Sequence, residues 1–211
     1  MEAADTAFAG KRRTLRDDLI SSYFIAQGQR PSAFSDVDLA TLTPYLRALL
    51  VTDGAVTRLL EGAVLESVEV RVLDQRMVEP DGDLIALLEL PATAFSLVRR
   101  RIAICGRQSR RTYAFAESVL VPSRLPSNFI GLLAHNPRGL GESIDQMRLE
   151  TRRELLWFGH AAAPAWAAPA ADNAAAVQLP LLTRSYRLIL GGTPSILISE
   201  SFPIDDPTST K

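Results

Sequence analysis

The sequence predicts an α+β fold built on an antiparallel sheet. Two pairs of alternating apolar segments are each joined by a short turn signal. Phe95–Cys105 meets Arg111–Val121 through residues 106–109, and Leu181–Leu190 meets Ser195–Phe202 through Gly191-Gly192-Thr193-Pro194. Helical patterns fall in separate runs rather than between successive strands, which argues against a wound βαβ sheet.

Taken in order, residues 1–35 read as a polar N-terminal arm with a short helix around Leu15–Ile25. Residues 36–204 form the main domain, and 205–211 a frayed tail. Ser35-Asp36 caps a predicted helix running to Leu50, kinked or split at Pro44. Asp53-Gly54 is a turn, followed by predicted strands over Ala55–Leu60 and Leu65–Leu73; the second alternates as Val68, Val70 and Val72. Pro80–Asp83 reads as a turn. Beyond the first hairpin, a short helix is predicted between Pro122 and His135 and a longer one over Glu142–His160. The Ala/Pro-rich stretch 161–180 reads as a loop before the final hairpin.

Composition narrows the function classes. The chain has 211 residues, 47% hydrophobic and 22% charged, enough to bury a core without disulfides or a structural metal. A net charge of −1 argues against a nucleic-acid binder. Cys105, His135 and His160 are the only Cys and His residues, a poor inventory for a metal site. No apolar run is long enough to span a membrane, and the N-terminus lacks a secretory apolar core, so a cytoplasmic protein is expected. Only Lys11 and Lys211 are lysines, so an internal cation here is an arginine, the side chain suited to gripping carboxylates with paired hydrogen bonds. Oligomeric state stays open, with a monomer favoured.

The informative signal is charge on the wrong strand face. Side chains two apart on a strand share a face. Arg100 therefore lies with Val98, Ile102 and Ile104, while Arg99 and Arg101 point away with Cys105. Arg184 lies with Leu182, Tyr186 and Leu188; Glu200 with Ile196, Ile198 and Phe202; Glu117 with Tyr113, Phe115 and Val119. Burying an unpaired charge costs several kcal/mol. Either these groups form buried ion pairs, or they line a closed pocket in which arginines take the carboxylates of a small anion and a glutamate handles a hydroxyl or a proton. Arg184 has two expected roles, a grip on a second ligand carboxylate or an ion pair with Glu117.

Four segments in this order resemble the chorismate pyruvate-lyase family, with the actinobacterial members most similar at the C-terminal hairpin. They are Leu49–Thr57, then Leu97–Cys105 with Ala116–Ser118, then Leu140-Gly141, and finally Arg184–Arg187 through Gly191–Pro194 to Glu200–Phe202. The resemblance implies a single antiparallel sheet with helices packed on one side, a ligand sealed under helical flaps, no metal or organic cofactor, and conversion of chorismate to 4-hydroxybenzoate and pyruvate. It matches Arg100 to the family's carboxylate-binding arginine and Glu200 to its essential glutamate. Leu140, beside Gly141, matches a cavity-lining leucine, and Val72 a further apolar pocket residue. Departures include Gly139-Leu140-Gly141 where the family has Pro-Leu-Gly, and Arg184-Ser185 where it has paired arginines. Two other readings compete: a cyclase or isomerase of another biosynthetic intermediate on the same scaffold, and a non-catalytic small-ligand-binding domain like the effector domains of bacterial regulators.

Overall fold

A computed structural model describes residues 19–91, 96–135, 139–170 and 180–204. The expected frayed tail and the start of the N-terminal arm lie outside these residues, as do residues 171–179 of the Ala/Pro-rich stretch. Six strands form one sheet: β1 (Val68–Val78), β2 (Leu97–Gly106), β3 (Thr112–Leu120), β4 (Arg152–Ala161), β5 (Leu181–Leu190) and β6 (Thr193–Phe202). Their order is β1-β2-β3-β6-β5-β4, and every neighbouring pair is antiparallel. The two expected hairpins form its centre, with Gly191 and Gly192 both at positive φ in the tight β5–β6 turn.

Among the described residues, five helices accompany the sheet: α1 (Pro44–Val51), α2 (Val56–Val64), α3 (Gly82–Leu87), α4 (Phe129–His135) and α5 (Gly139–Gln146). Pro44 does not kink a longer helix. It occupies the first turn of α1, where its missing N–H costs nothing, and the Thr43 side chain caps the Leu46 N–H. The turn at Pro80–Asp83 continues into α3, because the Asp81 carboxylate caps the Leu84 N–H. Residues 19–21 form a helical turn, after which the segment runs along β4. There Ile25 and Ala26 donate to the Leu155 and Leu156 carbonyls, and Ser35 bridges His160.

Two sequence expectations change. The segment expected as a strand over 55–60 is the start of helix α2, whose Val56 and Leu60 are buried one turn apart. The long helix expected over 142–160 is the short α5 followed by strand β4. The break falls at Arg148, which adopts φ 51°. β4 carries a bulge between Leu155 and Trp157, so Leu155 opposes Tyr186 while Phe158 opposes Arg184. Leu155 and Phe158 thus share a face three residues apart, a spacing that imitates a helix.

One sheet face carries most of the cover. Leu46, Leu49 and Leu50 of α1 and Leu60 of α2 pack on Ile104, Ala114, Leu182 and Phe202. Phe129 and Leu133 of α4 and Ile144 of α5 pack on Leu120, Leu188 and Ile196. Each fully buried leucine contributes about 1.5–3 kcal/mol. The helices are not confined to that face. Leu84 of α3 and the following Leu88 cover Leu97 and Val119 on the opposite side, and Ala167 in the turn Ala165–Ala170 packs with Ala103, Cys105 and Phe115. The second face is apolar at both places and would otherwise expose large side chains. Among the described residues, no helix is long and apolar enough to cross a membrane.

Candidate active site

Strand register places three of the four odd charges of the sequence, Arg100, Arg184 and Glu200, on the main covered face. Arg100 opposes Ser118, which opposes Ile198; Ala116 opposes Glu200, which opposes Arg184. A cavity of about 50 Å³ lies over this part of the sheet. Its floor includes Ile102, Ala116, Ser118, Ile198, Tyr186 and Glu200, and its roof is the starts of α2 and α5, with Ala55, Val56, Gly139, Leu140 and Gly141. The two starts touch. A Cβ at Gly141 would lie 2.9 Å from the Ala55 Cβ, and one at Gly139, which has φ 81°, would lie 2.9 Å from Val70 Cγ2. Glycine at both positions lets the roof close onto the floor.

Glu200 is held from two sides. Arg184 Nε donates to its Oε2 at 2.8 Å, and Arg184 Nη2 lies 2.7 Å from the same oxygen. The Tyr186 hydroxyl donates to Oε1 at 3.0 Å. Arg184 also donates through Nη1 to the Leu50 and Thr52 carbonyls at the end of α1. Arg184 is fully buried and Glu200 almost so. Burial pushes the Arg184 pKa down, but the Glu200 charge outweighs it and the net shift is upward. Burial, reinforced by Glu200, raises the Tyr186 phenol well above its ordinary value, so it stays a proton donor. A carboxylate has about four acceptor sites. Glu200 therefore retains acceptor capacity toward the cavity.

Arg100 is the contrasting case. It is 3% exposed, yet its described partner is neutral: Nη1 donates to Gln75 Oε1 at 2.6 Å. Its Nη2 is buried and has no hydrogen-bond partner among the described residues. Burial without compensation lowers its pKa. Such a cation is costly unless an anion completes it. It stands beside Ser118, two strands and two residues from Glu200, a separation of about 12 Å between backbones by strand geometry.

A third arginine reaches the same cavity. Arg153 of β4 opposes Leu188 and lines the cavity beside Tyr186. Its guanidinium lies 5.4 Å from the Tyr186 ring centroid, and that of Arg184 lies 5.0 Å from it, both in cation–π range. It pairs loosely with Asp53, 3.5 Å away on an exposed side chain.

The profile of the Rv2949c-like chorismate pyruvate-lyase family matches residues 50–207, about three quarters of the sequence. The chain belongs to this family. The chorismate pyruvate-lyase of Mycobacterium tuberculosis is 29% identical over 171 residues, covering 80% of this chain and 84% of that protein. The one of Mycobacterium leprae is 29% identical over 169 residues, covering 78% and 77%. Among solved structures, PhnF from Mycobacterium smegmatis superposes with a TM-score of 0.58 at 12% identity, covering 74% of this chain and 66% of that one. The gene product SA0254 from Staphylococcus aureus gives 0.52 at 11%, covering 72% and 88%. At such identities these likenesses show the fold alone.

Of the residues the family resemblance singles out, Glu200, Leu140 and Gly141 line the cavity, and Arg100 stands on the same face next to cavity-lining Ser118. Val72 shares that face, opposite Ile102, but is 45% exposed on edge strand β1 and does not line the cavity. Arg184 does not pair with Glu117. Glu117 opposes Arg101 and Ser199 on the other face, where it binds Arg101 at 2.6 Å, so the sheet itself separates the two. Tyr186 and Arg153 were not anticipated. Tyr186 shares the strand face of Arg184 and carried that signal already. Arg153 is hidden by the helical reading of its strand; in β4 it shares a face with Leu155 and opposes Leu188.

Proposed function

We propose that the protein is a chorismate pyruvate-lyase that converts chorismate to 4-hydroxybenzoate and pyruvate, with the aromatic product destined for secondary metabolism. The observation that carries this reading is Arg100: a buried guanidinium whose Nη2 has no hydrogen-bond partner among the described residues, on the sheet face where Glu200 opens into a largely apolar cavity. An anionic ring carboxylate supplies what Arg100 lacks. Ile102, Ala116 and Ile198 offer a flat apolar bed for the ring, and Glu200 accepts a hydrogen bond from the C4 hydroxyl. Family membership supports chorismate among the acids that could fit.

The step balances without an added reactant. The C3–oxygen bond breaks, C4 loses its hydrogen, and the methylene carbon of the departing enolpyruvyl group gains one to become the methyl of pyruvate. The ring becomes aromatic, which supplies the driving force. The site then has three tasks: to hold a reactive conformer, to balance the anion charge, and to steer the hydrogen. Arg100 fixes the ring carboxylate. Glu200, oriented by Arg184 and Tyr186, fixes the hydroxyl end next to C3, where positive character develops as the C3–oxygen bond opens. A 50 Å³ cavity is smaller than the roughly 300–1,000 Å³ of ordinary ligand sites, so the starts of α2 and α5 act as a flap that yields on loading.

The test is direct. Purified protein is incubated with chorismate, and the products are identified and quantified. Equal amounts of 4-hydroxybenzoate and pyruvate support the reading. A folded protein that leaves chorismate unchanged refutes it, and the cyclase, isomerase and binding-domain readings of the same pocket then come forward.

A further inference from the structure

The cavity region holds three buried or half-buried guanidinium groups against one buried carboxylate. Arg184 is neutralised by Glu200 at 2.7–2.8 Å. Arg100 has no acid within ion-pair distance among the described residues, and Arg153 has only the exposed Asp53 at 3.5 Å. Two cations are thus left over, one at each end of the apolar floor. Chorismate carries two carboxylates. Its enolpyruvyl ether is attached at C3, next to the C4 hydroxyl, so the second carboxylate belongs near Glu200 and away from Arg100. Arg153 stands there, beside the Glu200-bound Tyr186.

Arg153 is also set up to take an anion. Its Nε is buried and has no hydrogen-bond partner among the described residues. It lines the buried cavity and also an open groove of about 510 Å³ bounded by Tyr23, Ile25, Thr52 and Asp53. It is the one described cation common to both, so it can meet a carboxylate arriving from the groove. Arg184 is already neutralised, with Glu200 2.7–2.8 Å from its Nε and Nη2, and its Nη1 donates to the Leu50 and Thr52 carbonyls.

We propose that Arg153 binds the enolpyruvyl carboxylate of the substrate, exchanging its loose contact with Asp53 for a charge-assisted one. This rests on the chorismate reading above. The two arginines then divide the dianion between them, Arg100 on the ring carboxylate and Arg153 on the side chain that leaves. The assignment makes a distinction that a structural role does not: 4-hydroxybenzoate retains the ring carboxylate but lacks the enolpyruvyl one.

The experiment compares wild type, Arg153→Gln and Arg153→Lys in chorismate turnover and in equilibrium binding of 4-hydroxybenzoate. The expected result is a fall in kcat/KM for chorismate of about 10- to 100-fold in Arg153→Gln, the size of one lost charge-assisted contact. The 4-hydroxybenzoate Kd should change less than about threefold, and Arg153→Lys should recover part of the loss because it retains the charge. An unchanged kcat/KM in Arg153→Gln overturns the assignment, as does an equal loss for chorismate and 4-hydroxybenzoate. A folded wild type without turnover overturns the chorismate reading itself and this assignment with it.

Discussion

Arg184 and Glu200 face each other directly across β5 and β6, and their ion pair is buried between the end of α1 and the sheet. The pair orients the carboxylate that the cavity uses, at the cost of desolvating two charges. Removing one partner leaves the other buried and uncompensated. Glu200→Leu and Arg184→Met should each destabilise the fold by about 3–5 kcal/mol, while the double variant Arg184→Met/Glu200→Leu should cost markedly less than the sum. Urea unfolding of the four proteins measures this. Additive losses would mean that the two side chains are not coupled.

Arg100 should behave in the opposite way. Its charge is already uncompensated, so Arg100→Leu removes a desolvation cost along with the contact to Gln75. Stability should stay within about 1 kcal/mol of wild type or rise, the pattern seen when a site built for function is relieved of strain. Affinity for 4-hydroxybenzoate should fall at least tenfold. Thermal unfolding with and without 4-hydroxybenzoate reads both effects at once. A large loss of stability with retained ligand protection would show that Arg100 is structural.

Gly141 tests the roof. A methyl group placed there meets the Ala55 Cβ at 2.9 Å, and neither atom belongs to a flexible side chain. Gly141→Ala should cost about 1–3 kcal/mol by overpacking and displace the neighbouring Leu140. Ala55→Gly in the same chain removes the opposing methyl and should recover much of the loss. Melting temperatures of the single and double variants decide it; a single variant as stable as wild type would mean that the α2–α5 contact is loose.

The acid limb of stability should carry the signature of Glu66. Its carboxylate accepts from the Ser109 and Tyr113 hydroxyls and from the N–H groups of Gln108 and Ser109, fastening the β2–β3 turn to the segment before β1. Those bonds, led by Ser109, hold its pKa at about 2 against an ordinary value of 4.5. Folding therefore favours the ionised form. The contribution is fully present above the ordinary carboxylate pKa and is lost as pH falls from about 4.5 toward 2. Glu66→Gln should flatten the pH dependence of the unfolding midpoint in that window and leave its shape near neutrality unchanged.

Strand alternation made much of the site legible. The lone charges at Arg100, Arg184 and Glu200 stand where the sequence puts them, because a buried face tolerates no slip of register. The pairing was not legible. Alternation assigns a face within one strand but does not say which faces of different strands coincide, so the sequence offers Glu117 to Arg184 where the structure pairs it with Glu200. Arg153 was lost for another reason: the bulge in β4 gave an edge strand the apolar spacing of a helix. Helix α2 was misread in the other direction, since six residues are too few to separate the two periods. The small residues at the α2–α5 contact, Ala55 and Gly141, carry no periodic signal at all.

The most direct test of the account is chorismate turnover by wild type and Arg100→Leu side by side, with pyruvate and 4-hydroxybenzoate measured together and folding checked by unfolding curves. The account predicts equal amounts of both products from wild type, and loss of turnover in a variant that is folded and at least nearly as stable. Wild-type protein that is folded but inert toward chorismate, or Arg100→Leu that turns over like wild type, would contradict it.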